Sequence, residues 1–474
     1  MSKETSRATG AAFAKTLLLL LIIPASAWSS VFVRWSISEL PPTSSLGVSD
    51  VVFLWKQGLS PVLAAARKQG YRVYIEVPIR EAAAAAEQAD KTGCSGIVLD
   101  LSESETTTLE SDARKLRSAY SHLRFLILNP NGKQPDMRGS LIIKRDSVLE
   151  VSSPTAQPWI DTNLALIKVE QRSRHVQVPL YTFSWVDEGQ QRTRTADDYS
   201  LAIAEAGAFR SDLVLPLEEH LQRGLTLNDA EAWALWKQVR SILRFSRDAS
   251  TDRLEPAANV AVVVDHLDAG DEVLNLLSRH NIPFQVFMGS DLKGEKLQGF
   301  DILIVFARPD EETADRINSL ATRGKTVVVV DAHGKSPWQS SQPVQVNEHT
   351  TSYIVGNGKV LELSEPVTDP ETFAQDVRRL LGKRNALLSL WNGLTTIAVP
   401  YKDRREKLTT LELVNYAVEP VRVQVQLKGS FTSIRYESAE HGCCESLVPI
   451  KHDEFTEFVI PELRVAGRVH LGSE

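Results

Sequence analysis

Between about residue 31 and residue 247, short runs of apolar and β-branched residues alternate with stretches of helical periodicity. The apolar runs cover residues 31–37, 51–55, 71–77, 96–101, 124–129, 148–152, 178–185 and 212–217. The helical stretches are clearest at residues 60–69, 80–91, 111–122 and 230–244. Apolar runs separated by helices are typical of parallel strands that are buried on both faces and joined by crossovers. Eight such runs predict a compact (β/α)8 barrel of the TIM type over residues 28–247.

The sixth strand of this barrel has two candidate segments. Few helical stretches lie between residues 129 and 178, and residues 141–144 compete with residues 148–152 for the position. A doubly wound open sheet therefore stays as the alternative topology. Both topologies place functional side chains at the carboxyl ends of the strands.

Two further domains follow a linker, rich in Asp, Ser and Pro, at residues 247–258. Residues 258–385 again alternate strand-like and helix-like segments, with strands expected at 260–264, 284–288, 302–306 and 326–331. This pattern predicts a flavodoxin-like parallel sheet, closed by a helix at residues 370–381. From residue 386 to residue 474 the apolar period changes to two, which predicts a small antiparallel β-sandwich.

The first 27 residues have the pattern of an export signal. Lys3, Arg7 and Lys15 precede or flank an apolar run at residues 17–23, and Ala25-Ser26-Ala27 is a small-x-small cleavage site. We expect cleavage before Trp28 and an exported protein, either periplasmic or extracellular. The apolar run is shorter than the roughly 20 residues that cross a bilayer, so no membrane span is expected after cleavage. An uncleaved anchor is the alternative.

Charge and composition argue against several classes of partner. The formal net charge is −7, which offers no electrostatic basis for binding a nucleic acid. The sequence has no phosphate-binding glycine loop, so no nucleotide or flavin cofactor is expected. Its histidines are scattered and its cysteines number three, so no metal site is expected. Cys443 and Cys444 are adjacent, a spacing that rarely forms a disulfide, and Cys94 is expected to be buried.

The order of the three predicted domains resembles that of the family 42 β-galactosidases and their relatives. In those proteins a catalytic barrel precedes an amidotransferase-like trimerisation domain and a small β-domain. Residues 300–305 and 324–329 look like the core of that middle domain, and residues 413–416 and 458–463 look like the terminal sandwich. The resemblance implies a glycoside hydrolase that acts on an oligosaccharide or glycoside and assembles as a homo-oligomer through its middle domain. Residues 327–335 lack the cysteine of an amidotransferase nucleophile, so a packing role is expected there.

The catalytic motifs of known barrel families match incompletely. In family 42 the acid/base residue follows an Asn at the end of the fourth strand, whereas here Asn129 precedes Pro130. Residues 93–103 have the shape of the chitinase-like strand signature, but they keep only Asp100 and a displaced Glu103. These departures make a catalytically silent barrel, retained for binding or assembly, the alternative to an enzyme.

Glycoside hydrolysis requires two carboxyl groups on either side of the scissile bond. The candidate acids at or beyond strand ends are Glu76, Asp100, Glu188 and Glu218. Glu76 and Asp100 stand out because they lie in apolar runs, where desolvation raises a carboxyl pKa. We expect a catalytic pair to combine one of these two with Glu188 or Glu218. The candidate substrate-binding residues are Trp185 and Trp55 as sugar platforms, with Asn129 and Arg80 to orient hydroxyl groups. A structural role is the alternative for each residue; Glu218, for example, precedes a helix that its charge would stabilise.

Overall fold

The computed structural model describes residues 30–101, 115–129, 136–137, 143–145, 148–150, 162–173, 180–185, 193–247, 253–293, 297, 299–417 and 419–472. The predicted leader and the candidate Glu188 therefore lie outside the described residues. Among the helices within these ranges, none combines the length and the hydropathy that a membrane crossing requires.

Within the described residues, seven parallel strands close into a barrel. The strands are β1 (Val31–Arg34), β2 (Asp50–Leu54), β3 (Arg72–Pro78), β4 (Gly96–Asp100), β5 (Arg124–Leu128), β6 (Leu180–Tyr181) and β7 (Asp212–Pro216). They follow one another in chain order around the barrel, and β7 pairs with β1 to close it. The TIM-like barrel predicted from the sequence is confirmed, and the open-sheet alternative is wrong because the sheet has no free edge.

The segment predicted as a sixth barrel strand has a different structure. Ile143–Arg145 and Val148–Glu150 pair with each other as an antiparallel hairpin, outside the barrel. The barrel closes past them because Leu128 of β5 pairs directly with Leu180 of β6. Only two residues separate the hairpin strands, a spacing that suits a tight turn, whereas a parallel neighbour requires a crossover of a dozen residues or more.

Helices cover the outside of the barrel and several were not predicted. Those with described bounds are Thr43–Leu46, Ser60–Lys68, Ala82–Thr92, Leu164–Ser173, Ala196–Ala208, Glu219–Thr226 and Ala230–Ser246. The helix Ala196–Ala208 begins at a capping box, in which the Thr195 side chain accepts a bond from the Asp198 N–H. Almost every side chain of this helix is buried, because it lies between the barrel and the sandwich.

Side chains fill the inside of the barrel in layers. A central layer contains Phe32, Val52, Tyr74, Val98 and Val214 with apolar residues of β5 and β6. Because alternate residues of a strand face the same side, the positions two residues away in either direction also face inward. Toward the amino ends these positions hold the charged residues Asp50, Arg72, Arg124 and Asp212, and toward the carboxyl ends they hold Arg34, Leu54, Glu76 and Asp100.

The middle domain is a seven-stranded sheet with flanking helices. Its spatial order is Phe284–Met288, Val260–Val264, Ile302–Val305, Thr326–Val329, Gly358–Leu363, Thr350–Val355 and Pro343–Asn347. The first five strands are parallel and the last two are antiparallel. Its helices are Asp271–Arg279, Glu311–Thr322 and Pro370–Asn385. The predicted strands are all present. The last three strands were not predicted, although the two-residue loop Gly356-Asn357 between two of them is a hairpin-turn signal.

The C-terminal domain consists of two antiparallel sheets packed face to face. The larger sheet has the order Glu255–Pro256, Thr396–Lys402, Leu408–Asn415, Ala466–Gly472, Ser433–Ser438 and Gly442–Leu447, and the smaller has the order Leu388–Trp391, Val421–Lys428, Phe455–Leu463 and Ile450–His452. The predicted sandwich is confirmed. Its first strand comes from the linker that precedes the middle domain.

The cysteines differ in part from expectation. Cys94 is buried, as the sequence predicted. Cys443 and Cys444 are joined as a disulfide, although adjacent cysteines were expected to stay unbonded. A register shift between Tyr436 and Glu437 of the neighbouring strand gives the strand Gly442–Leu447 one extra residue at this point. Such a β-bulge turns successive side chains toward the same side, which brings the two sulfur atoms together.

Buried polar contacts join the barrel to the sandwich. The Tyr416 hydroxyl donates to Oε2 of Glu205 at 2.8 Å, and Asn163 donates to Oε1 of the same carboxyl at 2.7 Å. Glu205 is fully buried, and burial raises its pKa although these hydrogen bonds oppose the shift. The Tyr401 hydroxyl donates to the Ala208 carbonyl at 2.6 Å. The helix Ala196–Ala208 is therefore held by the sandwich as well as by the barrel.

Replacing Tyr416 with Phe should destabilise the protein by about 1–3 kcal/mol, the cost of leaving a buried polar group without one of its hydrogen-bond partners. The substitution removes one donor from the buried Glu205 carboxyl and leaves the ring in place. Urea denaturation of the parent and variant chains measures the effect. Tyr353→Phe, at a half-buried position in the middle-domain sheet, is the control. Equal losses in the two variants would contradict a special role for the Tyr416 hydroxyl.

Candidate functional site at the barrel mouth

Three charged side chains face inward at the carboxyl ends of β1, β3 and β4. Arg34 ends β1, Glu76 lies near the end of β3, and Asp100 ends β4. The Arg34 guanidinium donates twice to the Glu76 carboxyl, from Nε to Oε2 at 3.0 Å and from Nη2 to Oε1 at 2.6 Å. This bidentate pair spans the inside of the barrel past Leu54 of β2, whose side chain is half exposed at the mouth.

The environment of Glu76 raises the pKa of its carboxyl above the ordinary value. Burial raises the pKa of the Glu76 carboxyl, the Arg34 charge opposes that shift, and the Asp100 charge adds to it. The net direction is upward because Glu76 is only 4% exposed. Asp100 is half-buried, so two carboxyl groups with different access to solvent lie at this edge of the barrel. Unequal environments of this kind are what separate an acid from a carboxylate in a catalytic pair.

A second group of side chains surrounds Glu218, just beyond β7. Oε2 of Glu218 accepts bonds from the Tyr199 hydroxyl at 3.3 Å and from the Arg194 backbone N–H at 3.2 Å. The His220 Nε2 atom is 3.9 Å from the same oxygen. Glu218 therefore has structural partners, and it also occupies the N-cap position of the helix Glu219–Thr226. This placement agrees with the stabilising role that the sequence left open for it.

Trp185 lies within the same group and is enclosed by other side chains. Phe183 and Tyr199 contact its ring edge-to-face, with centroids 4.7 and 5.5 Å away. The Arg194 guanidinium lies over the ring at 4.9 Å, and the indole N–H donates to the Pro216 carbonyl at 3.2 Å. The half-buried ring is thus fixed in orientation, and Arg194 covers one of its two faces. A sugar would have to stack on the other face.

Asn129 has an unusual environment at the end of β5. Its backbone is left-handed, with φ of 47°, which Asn tolerates better than most residues. The side chain is fully buried, and its Oδ1 atom accepts a bond from the Thr182 N–H at 3.3 Å. Its Nδ2 atom is also buried and has no hydrogen-bond partner among the described residues. A buried donor without an acceptor costs free energy.

The other two predicted site residues, Trp55 and Arg80, lie at the surface of the barrel mouth or beside it. Trp55 is half-buried directly after β2, and its backbone N–H donates to the Glu76 carbonyl at 2.8 Å. Arg80 is largely exposed in a short 3-10 helix after β3, with Nε 3.6 Å from Glu81. Among the described residues, a group suited to a metal ion is found in the sandwich and is considered below.

Three residues of the mouth were not predicted from the sequence. Arg34 was missed although it stands alone as a charge in the apolar run 31–37. Arg194 and Tyr199 were missed because the helix that follows Thr195 was not predicted. The structure joins Arg34 to the predicted acid Glu76. It joins Arg194 and Tyr199 to the predicted residues Trp185 and Glu218.

Comparison with known proteins supports the fold and leaves the chemistry open. No protein-family model and no curated protein matches the sequence. Two solved structures align over 94% of this chain, each with a TM-score of 0.57. One is α-L-fucosidase isoenzyme 2 from Paenibacillus thiaminolyticus, which is 10% identical and is covered over 100% of its chain. The other is a β-galactosidase from Rahnella sp. R3, which is 9% identical and is covered over 99% of its chain.

The fold is that of a glycoside hydrolase-like TIM barrel protein. The resemblance expected from the domain order is thereby confirmed at the level of fold. Identities near 10% do not allow catalytic residues or a substrate to be transferred to this chain. The function of the barrel must therefore be inferred from the side chains at its own mouth. There, the pair Glu76 and Asp100 is the best candidate for the two carboxyl groups.

Proposed function

We propose that this protein binds an oligosaccharide or glycoside at the barrel mouth and hydrolyses it with Glu76 and Asp100. The observation that carries the proposal is the inward-facing layer at the carboxyl ends of β1, β3 and β4, where Glu76 contacts Arg34 and the charge of Asp100 acts on Glu76. The fold supports it, since the carboxyl end of such a barrel is where catalytic residues collect.

In this mechanism the buried Glu76, whose pKa is raised, supplies the proton to the leaving-group oxygen. The more exposed Asp100 supplies the carboxylate that acts at the anomeric carbon, either directly or through a water molecule. Arg34 is a positioning residue that fixes the Glu76 carboxyl by its two hydrogen bonds. Trp185 is the platform for a sugar ring, on the face opposite Arg194.

One observation favours a second function, that of a binding or assembly scaffold without catalysis. Arg34 engages both oxygens of Glu76, and a carboxyl held in this way is already satisfied. In a non-catalytic scaffold, the charged residues inside the barrel would be expected to pair with each other in this way. We also propose, from the sequence, that the leader at residues 1–27 exports the protein and that the middle domain assembles the homo-oligomer.

Hydrolysis of aryl glycosides and oligosaccharides by the mature chain from Trp28 tests the proposal. We expect activity in the parent chain and a fall of about 10²–10⁴-fold in the Glu76→Gln and Asp100→Asn variants, the range for loss of general acid–base catalysis. Glu219→Gln is the matched control, because Glu219 is an exposed acid that pairs with Arg223 at the start of the following helix. Melting temperatures establish that each variant is folded.

The outcomes separate the two functions. Saccharide binding without hydrolysis in the parent chain would replace the enzyme with the binding scaffold. Hydrolysis that survives in both variants would contradict the assignment of Glu76 and Asp100. A folded parent chain that neither binds nor hydrolyses any member of the panel would contradict a carbohydrate function.

A further inference from the structure

Four metal-ligating side chains meet in the larger sheet of the sandwich, away from the barrel mouth. They are Glu437, Cys443, Cys444 and His470, and one donor atom from each lies within 4.8 Å of all the others. Glu437 belongs to Ser433–Ser438, the cysteines to the edge strand Gly442–Leu447, and His470 to Ala466–Gly472. These three strands are neighbours in the sheet.

The strand register explains why the four side chains share one face. Glu437 is directly opposite Cys443 on one side and Arg468 on the other. His470 lies two residues beyond Arg468 on the same strand, and residues two apart face the same side. The bulge in the edge strand adds Cys444 to this face. Fixed backbone pairing therefore positions all four donors, and the grouping does not depend on a mobile surface side chain.

The charges around the cluster are compatible with a cation. Arg468 contacts Glu437 at 2.8 Å, and its charge is also paired with Glu412 at 2.6 Å. Its guanidinium lies over the Phe245 ring at 4.8 Å, which holds it on the barrel side of the sheet. The His470 Nε2 atom is 3.4 Å from Glu437 Oε1. Cys443 is exposed and the other three residues are half-buried, so the cluster is open to a reductant and to an ion from solvent.

We propose that this cluster binds a thiophilic divalent cation, best matched by Zn²⁺, once the Cys443–Cys444 disulfide is reduced. A dithiol reductant breaks the S–S bond by exchange: its own two thiols become a disulfide as the two cysteine thiols form. Binding then releases the two thiol protons, and the ion takes two thiolates, the His470 imidazole and the Glu437 carboxylate. Two sulfur donors with one nitrogen and one oxygen suit tetrahedral Zn²⁺, whose bonds are about 2.0–2.3 Å long. The two sulfur atoms must move apart to take two of the four positions, which reduction of the disulfide allows. The disulfide form offers no thiolate, so the site exists in one redox state.

Cobalt(II) titration of the reduced mature chain, with Zn²⁺ competition, tests this proposal independently of any carbohydrate activity. We expect one Co²⁺ per chain, a thiolate-to-cobalt charge-transfer band, displacement by Zn²⁺, and no band in the oxidised chain. Cys443→Ser and Cys444→Ser should abolish or greatly reduce the band. His470→Gln should raise the Co²⁺ dissociation constant at least about 10-fold, because even partners of metal ligands are worth 10–100-fold.

Two controls define the site. His452→Gln removes an exposed histidine beside a carboxylate in the other sheet and should leave the titration unchanged. Cys94→Ser removes the buried third cysteine and should also have no effect. The proposal is overturned if the reduced chain gives no band, if His470→Gln binds as tightly as the parent, or if Cys94→Ser loses the band.

Discussion

Asp212→Asn is expected to stabilise the protein at pH 8 by up to about 4 kcal/mol, and to lose most of this advantage near pH 4. Asp212 faces inward at the amino end of β7, is 7% exposed, and accepts a bond from the Ser30 N–H at 2.6 Å. Burial raises the pKa of Asp212 from its ordinary 3.8 to about 7, against the opposing effects of that bond and of Arg124. Each pKa unit corresponds to about 1.4 kcal/mol.

The sign of this effect follows from proton binding. The folded chain holds a proton on Asp212 between pH 4 and pH 7, where the unfolded chain has released it, so the contribution of Asp212 to stability falls as the pH rises through this window. Asn is neutral throughout and accepts the same backbone bond. Denaturant unfolding of both chains at pH 4.5, 6 and 8 measures the difference between them, in which other buried acids cancel. A difference that does not change with pH would contradict the raised pKa.

Arg34→Met is expected to destabilise the protein by about 3 kcal/mol at pH 7, toward the lower end of the range for breaking a buried ion pair. The side chains of Arg34 and Glu76 are 18% and 5% exposed, so removing the guanidinium leaves a buried carboxyl without its partner. The double variant Arg34→Met/Glu76→Met should recover most of the loss, because no charge is then left in the layer. Thermal and urea unfolding of the parent, single and double variants provide the measurement.

The loss in Arg34→Met should also shrink at low pH. Without Arg34, the pKa of Glu76 rises further above its ordinary value, since the Arg34 charge is the largest cause that opposes the rise. A raised pKa gives stability that is present at low pH and is lost as the pH increases. A double variant as unstable as Arg34→Met would contradict a stabilising role for the ion pair. The lost free energy of unfolding would then come from the packing of the Arg34 side-chain stem.

Much of the fold was predictable because the barrel strands and the middle-domain strands are buried on both faces. Their continuous apolar runs indicate buried strands regardless of the sequence on either side. The helix Ala196–Ala208 gave a weak signal for the opposite reason: it is buried nearly all round, so it lacks the polar stripe that marks a surface helix. The hairpin at residues 143–150 was misjudged because apolar periodicity does not distinguish local pairing from membership of a barrel.

The sequence predicted candidate acids for the site, but it did not predict the side chains that contact them. Glu76 and Asp100 were predicted as candidates because a carboxyl group within an apolar run is conspicuous. Arg34 is separated from Glu76 by the whole of β2, and only a closed barrel brings their side chains together. The same limit applies to Glu437 and His470, which are distant from each other in sequence and meet through strand pairing. Glu188 lies outside the described residues and stays a prediction.

The two-residue strand Glu255–Pro256 links the order of synthesis to the order of assembly. It is made directly after the barrel, yet it pairs with Thr396–Lys402, which leaves the ribosome only after the whole middle domain. Glu205 and Ala208 of the barrel likewise lack their hydrogen-bond partners Tyr416 and Tyr401 until the C-terminal domain has been synthesised. The nascent barrel therefore carries an unfinished surface until translation is nearly complete, and a chain cut after the middle domain would keep that surface permanently.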